Sequence, residues 1–117
     1  MARTKRAKPE HQHPHREPPP LADAAFVRAA ALFRAAGDPS RLRLLHVLAY
    51  DEWCVTDLAA HAGTKLSTLS QQLRVLYAER VVERRRDGKH IYYRLADDHV
   101  RELVSAALEH AGEPAHR

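Results

Sequence analysis

The chain has 117 residues, of which 44% are hydrophobic, and its formal net charge is +4. This length suffices for one domain and is too short for two. The single cysteine excludes an intramolecular disulfide, and no apolar run reaches the ~18 residues of a membrane span or resembles a secretory signal, so we expect a cytoplasmic protein without membrane contact.

The first 20 residues have the composition of a polar tail. They hold five of the seven prolines and three histidines, His11, His13 and His15, with hardly any apolar side chain to bury. Because such a segment cannot contribute to a core, we expect residues 1–20 to be disordered. Residues 21–113 would then form the folded domain, with a short C-terminal tail at 114–117.

Two helices are predicted after the tail. Apolar residues recur close to the helical period of 3.6 from residue 21 to residue 36, and Gly37 ends this pattern. Asp38 and Pro39 start the next helix, because Asp accepts free amide hydrogen bonds at an N-cap and Pro at the first helical position has no N–H to lose. The leucines that follow give the second helix a wide apolar face.

A helix-turn-helix pattern comes next. A short helix at 55–60 and a longer one at 65–79 are joined by a tight turn that contains Gly63. The buried stripe of the longer helix is predicted to be Leu66, Leu69, Leu73 and Leu76. Its other faces carry polar side chains of the kind that contact base edges and phosphates in a major groove. The predicted DNA contacts are Ser67, Thr68, Ser70, Gln71, Gln72 and Arg74.

A basic β-hairpin follows this helix. The dipeptide Asp87-Gly88 is a strong hairpin turn signal between candidate strands at 81–86 and 89–95. Residues 64–94 carry eight Lys or Arg against three acidic residues, which favours a wing that contacts DNA phosphates over a merely solvated hairpin. The predicted wing contacts are Arg84, Arg85, Arg86, Lys89 and His90. The expected fold is therefore mainly α with a small β-hairpin, a winged helix-turn-helix.

The last predicted helix, at 97–111, carries candidate metal ligands at both ends. His99 and His110 lie eleven residues apart, about 16 Å along a helix axis, so no single ion can bridge them within one helix. If two copies pack antiparallel about a two-fold axis, Asp97 and His99 of one copy meet His110 and Glu113 of the other. The pattern thus predicts a homodimer with two symmetric metal sites.

The chemistry of these ligands favours Zn(II). Two imidazole nitrogens and two carboxylate oxygens in tetrahedral geometry suit zinc, with Co(II) as a plausible surrogate. Asp97 must lie at or before the helix N-cap, since positions two residues apart diverge on a regular helix. A metal-independent winged-helix regulator and a Ni(II) or Co(II) sensor remain alternatives. No hydrolase motif is present, so we do not expect an enzyme.

These motifs together resemble the ArsR/SmtB family of metal-sensing repressors along residues 32–113. The resemblance is carried by LFRAAGDPSRLRLL at 32–45, EWCVTDL at 52–58, LSQQL at 69–73, GKHIYY at 88–93 and the segment 97–113. The zinc-sensing branch has Asp-x-His and His-x-x-Glu as an intersubunit metal site on its last helix, matched here by Asp97, His99, His110 and Glu113. The resemblance implies a homodimer that is formed through the N- and C-terminal helices. This dimer would repress metal-efflux or sequestration genes. Metal binding would release the dimer from double-stranded operator DNA.

The resemblance also implies a second metal site at the start of the third helix. Members that sense softer ions have Cys-x-Cys there, and Thr56 replaces the second thiol in this chain. Cys54 and Asp57 resemble the form of this motif found in the zinc-sensing branch. N-terminal histidines of the other subunit would complete the site. The candidates are His11, His13 and His15. The alternatives are a core thiol for Cys54, a solvated acid for Asp57 and a polar arm for the histidines.

Overall fold

The computed structural model describes residues 13–114 and has five helices and a three-stranded sheet within that range. The helices are α1 (Asp23–Ala36), α2 (Pro39–Leu48), α3 (Val55–Ala62), α4 (Leu66–Ala78) and α5 (Asp98–Ala111), and the strands are β1 (Trp53–Cys54), β2 (Val82–Asp87) and β3 (His90–Leu95). The predicted fold class, mainly α with a winged helix-turn-helix, is confirmed. Most of the predicted disordered tail, including His11, lies outside the described residues.

The helix ends follow the capping signals of the sequence. The Asp38 side chain accepts a hydrogen bond from the Arg41 amide at 3.1 Å, and Pro39 is the first residue of α2. Asp97 is the N-cap of α5 and accepts from the Val100 amide at 3.0 Å. Gly63 ends α3 in the left-handed conformation, with φ of 64°, which glycine adopts without steric cost. The turn of the helix-turn-helix is therefore built as predicted.

The core lies between the helices and the inner face of the sheet. On α4, Leu69, Leu73 and Leu76 are fully buried, as the periodicity predicts. The prediction for Leu66 is wrong, because this side chain is 51% exposed. Leu66 is the first residue of α4 and continues the leucine spacing beyond the edge of the core, where about half of its surface stays in contact with solvent. The buried leucines fix α4 so that its polar face points away from the protein.

The sheet differs from the predicted hairpin in two details. Its strand order is β1-β3-β2, and the two-residue β1 was not predicted because so short a strand has no periodicity to detect. Asp87 pairs with His90, so the turn residues are Gly88 and Lys89 rather than Asp87 and Gly88. Gly88 has φ of 63° at the first turn position, as type II′ hairpins require. Among residues 13–114, every helix falls short of the length and apolar character that a membrane span needs.

Candidate DNA interface and metal ligand pairs

An open basic groove runs between α4 and the wing, the hairpin formed by β2 and β3. Its volume is about 630 Å³. The α4 wall includes Ser70 and Arg74, and the wing wall includes Arg84, Arg86 and Lys89. These four cationic side chains are exposed, so they are accessible to a phosphate backbone that follows the groove.

The polar residues of α4 lie where the helix-turn-helix prediction requires. Ser67, Thr68, Gln71 and Arg74 are exposed, and Ser70 and Gln72 are half-buried at the sides of the helix. This polar face lies opposite the three buried leucines and is continuous with the groove. The helix therefore presents short hydrogen-bonding side chains on a rigid support, which is the arrangement that reads base edges.

The three consecutive arginines of the wing have different environments. The Arg84 guanidinium lies over the ring of Tyr77 on α4, 4.2 Å from the ring centroid. This cation–π contact joins the wing to α4. Arg86 is exposed and makes no ion pair with any residue in the range 13–114. Of the three arginines, Arg86 is the one with neither an ion pair nor an aromatic partner among the described residues, while the exposed Arg84 has an aromatic partner but no ion pair.

Arg85 also lines the groove, but its guanidinium is engaged by an acidic and an aromatic side chain of the protein itself. Its Nη2 lies 2.7 Å from Glu52 Oε1 and its Nε lies 2.9 Å from Glu52 Oε2, while its guanidinium lies 4.4 Å from the centroid of the Tyr92 ring. These hydrogen bonds from Arg85 hold the pKa of Glu52 below its ordinary value, against a smaller opposing effect of burial. Glu52 therefore stays ionised at neutral pH, and the bidentate pair braces the wing.

The predicted metal ligands form two pairs at opposite ends of α5. At the N-terminal pair, Asp97 Oδ1 lies 3.8 Å from His99 Nδ1. At the C-terminal pair, Glu113 Oε1 lies 3.7 Å from His110 Nδ1. The imidazoles are 93% and 87% exposed, respectively. Each end of the helix thus offers one nitrogen and one oxygen donor to an ion or to a second molecule.

One protomer does not complete a metal site by itself. Within residues 13–114, no three His, Cys, Asp or Glu side chains are close enough to hold one ion together. Asp97 has extended backbone angles at the N-cap, which lets it lie beside His99 as the sequence argument requires. The donor set of two such pairs fits a tetrahedral N₂O₂ site, provided that two protomers contribute.

Comparisons with known proteins assign the family. Residues 38–84 match the family described as bacterial regulatory protein, arsR family. A transcriptional repressor SmtB homolog from Synechocystis sp. is 48% identical over 84 residues, which cover 72% of this chain and 64% of that relative. The cadmium resistance transcriptional regulatory protein CadC homolog of Staphylococcus aureus is 35% identical over 96 residues, covering 81% of this chain and 79% of that relative. The chain belongs to the ArsR family.

A solved structure described as a possible ArsR-family transcriptional regulator has the same fold. It is the solution structure of a homodimeric winged helix-turn-helix DNA-binding domain, Mb0332 from Mycobacterium bovis, with a TM-score of 0.75 and 30% identity. The match covers 85% of this chain and 97% of the other. The expectation that this ArsR-family chain is a regulator of transcription and not an enzyme is confirmed by these relatives.

The second metal site predicted from the family resemblance is not assembled among the described residues. Cys54 is 7% exposed, and its backbone pairs with Tyr92 in the sheet, as the core-thiol alternative expects. Asp57 and the tail residues His13 and His15 are exposed, and no three of the candidate donors lie close enough together to hold an ion within the range 13–114. His11 lies outside that range, so the site stays a prediction for this ArsR-family protein.

Two functional partners were missed in the sequence. Glu52 and Tyr77 carry no local signal for their roles, because they contact the wing arginines only after the chain has folded. Glu52 and Arg85 are 33 residues apart in the sequence. The charge run itself was detectable, but which arginine remains free depends on these tertiary contacts.

Proposed function

We propose that this ArsR-family chain is a homodimeric repressor that binds operator DNA and leaves it when Zn(II) binds between the two last helices. The observation that carries the proposal is the pairing of an imidazole with a carboxylate at each end of α5. Such a helix can complete two equivalent four-ligand sites only with an antiparallel copy of itself. The regulated genes would be those for metal efflux or sequestration.

Exposed apolar surface supports the dimer. Phe26, Val27 and Phe33 on α1 are between 58% and 66% exposed, and Leu103 on α5 is 37% exposed. Side chains of this size gain free energy when a second copy removes them from water. Ser105 and Ala106 lie near the middle of α5, where small side chains allow two helices to approach closely. The homodimeric relative from M. bovis is consistent with this assembly.

The proposed metal is Zn(II), because the exposed donors are nitrogen and oxygen. Zn(II) would link the two α5 helices through its coordination bonds, and Co(II) could substitute in the same geometry. The only cysteine is buried, so this donor set offers no accessible thiolate to softer ions. Both imidazoles must be neutral to bind a metal, and we therefore expect weaker sensing as the pH falls. A six-coordinate Ni(II) or Co(II) site would need a donor beyond these four, and the candidate in the sequence, His116, lies outside the described residues.

DNA binding would use the polar face of α4 in the major groove and the free cations of the wing on phosphates. Ser67, Thr68, Gln71 and Arg74 are the exposed α4 candidates. Dimer symmetry would place two such helices on two half-sites of one operator. Since metal and DNA act on the same dimer, each weakens the binding of the other by the same factor.

Zinc is expected to lower the DNA affinity of the wild-type protein by about 5- to 150-fold, the usual range for coupled sites. The measurement is fluorescence anisotropy of a labelled operator, selected from random DNA with the metal-free protein, at increasing Zn(II). Mg(II) is the control, because it prefers six oxygen ligands and should not release the DNA. An affinity that zinc leaves unchanged would refute the proposed function.

The wing arginines are expected to differ in the salt dependence of DNA binding. Arg86→Gln should lower the slope of log affinity against log salt by about one, as the loss of one phosphate contact does. Arg85→Gln should weaken binding without this change in slope, because its guanidinium is already paired with Glu52. Equal changes in slope for the two variants would show that both arginines contact phosphates.

A further inference from the structure

The connection between α2 and β1 is held at both of its ends by arginines from other elements. At one end, Nε of Arg101 on α5 donates to the carbonyl oxygen of Ala49 at 2.9 Å. At the other end, Arg85 of the wing binds the Glu52 carboxylate through two donors. The segment 49–52 therefore contacts both the helix that carries the metal ligand pairs and the hairpin that carries the DNA-binding cations.

The α5 end of this connection lies next to the N-terminal ligand pair. Arg101 follows Asp97 by four residues, about one helical turn, and His99 by two, and its backbone amide bonds to the Asp97 carbonyl at 3.2 Å. Its Nη1 also pairs with Asp98 on the same turn. Because Arg101 and the ligand pair share one turn of one helix, a shift of the pair on metal binding moves the Arg101 guanidinium with it.

The segment itself is short and internally fixed. Only Tyr50 and Asp51 lie between Ala49 and Glu52, and the Asp51 side chain accepts the Glu52 amide at 2.8 Å. Because only two residues separate Ala49 from Glu52, this connection has less freedom to absorb a displacement than a long loop would have. A movement of the Ala49 carbonyl would thus reach Glu52 through two intervening residues and the wing through the Glu52–Arg85 pair.

We propose that the segment 49–52 couples the last helix to the wing, with Arg101 and Glu52 as its positioning residues. The inference rests on the proposed function, since it names the route by which metal binding between the α5 helices changes the DNA surface. In the metal-free protein, the segment holds the wing in place beside α4. Metal binding shifts the N-terminal turn of α5, and Arg101 and Glu52 pass this shift to the wing.

A purely structural role for these contacts makes a different prediction. Arg101 would then only cap the carboxyl end of α2, and Glu52 would only stabilise the wing. Their loss would weaken DNA binding equally with and without zinc. The side chains of Arg101 and Glu52 are 44% and 25% exposed, respectively. Because ion pairs at such positions contribute little to the free energy of folding, variants of either residue should remain folded.

The test compares the zinc factor, the ratio of operator affinities without and with saturating Zn(II), among matched variants. Glu52→Gln and Arg101→Gln are each expected to reduce the zinc factor by about 2- to 30-fold, as mutations along a coupling route do. Zinc affinity of the DNA-free dimer, measured by competition with a chelating dye, should stay at the wild-type value. The double variant should show no further loss than the stronger single variant, because both act on one route.

Glu83→Gln is the matched control, because it also replaces a carboxylate that pairs with an arginine of the wing. Glu83 pairs with Arg94 at 2.9 Å across the same hairpin, and among the described residues neither side chain forms a hydrogen bond or ion pair with the segment 49–52; Arg94 acts on Glu52 only through its charge. The zinc factor of the Glu83→Gln variant should equal that of the wild type. A wild-type zinc factor near one would contradict the proposed function and this inference together. A normal wild-type response that Glu52→Gln and Arg101→Gln retain in full would overturn the inference alone.

Discussion

Mixed dimers of His99→Ala and His110→Ala protomers are expected to regain a zinc response that neither variant has alone. In either homodimer, both proposed sites lack one imidazole. In the mixed dimer, the His110→Ala protomer supplies Asp97 and His99, and the His99→Ala protomer supplies His110 and Glu113, so one site is complete. The other site lacks both imidazoles. The intact site should restore a decrease in DNA affinity within the range of about 5- to 150-fold.

The mixed dimers can be purified by co-expression with two different affinity tags and tested on labelled operator DNA at increasing Zn(II). All three dimers should bind DNA alike without metal, because the two histidines are exposed on α5 and lie outside α4 and the wing. A response in either homodimer equal to the wild type would contradict a role for that imidazole. A mixed dimer whose DNA affinity does not fall when Zn(II) is added would contradict the antiparallel arrangement across the two-fold axis.

The sequence predicted well those features that depend on local chemistry. Asp38 and Asp97 act as N-caps because a carboxylate next to a helical start has free amides within reach, whatever the rest of the chain does. The leucine spacing of α4 correctly predicted the burial of Leu69 and Leu73. The imidazole and carboxylate pairs of α5 were detectable because each pair lies within a few residues in the sequence.

The remaining features depend on contacts between distant segments. The exposure of Leu66 depends on where the core ends, and periodicity along a single helix cannot locate this edge. The turn at Gly88 and Lys89 is set by the length of the β2–β3 ladder, which extends to Asp87. The pairing of Arg85 with Glu52 leaves Arg86 free, and no feature of three identical neighbouring residues distinguishes them before folding. Composition thus predicted a cationic wing but not the role of each cation.

Phe26→Glu is expected to separate the protomers and to lower DNA affinity by on the order of 10²- to 10⁴-fold, the gain that linking two binding modules provides. Phe26 is 60% exposed on α1 and lies outside the core of the protomer, so a charge at this position should oppose dimerisation without unfolding the chain. The same variant should also lose tight zinc binding, because each proposed site takes ligands from both protomers. Sedimentation, operator binding and zinc competition give the three measurements, and circular dichroism checks the fold.

The matched control for Phe26→Glu is Arg28→Gln, which changes the net charge by the same amount on the same helix. Arg28 is exposed but lies about 200° around the α1 axis from Phe26, away from its apolar face. This variant should remain dimeric and keep both its operator affinity and its zinc response. If Phe26→Glu stays dimeric, α1 does not form the interface; if it becomes monomeric yet binds zinc with wild-type affinity, the ligands come from one protomer. Parallel loss of dimer, DNA binding and zinc binding would instead tie all three to a single two-fold assembly.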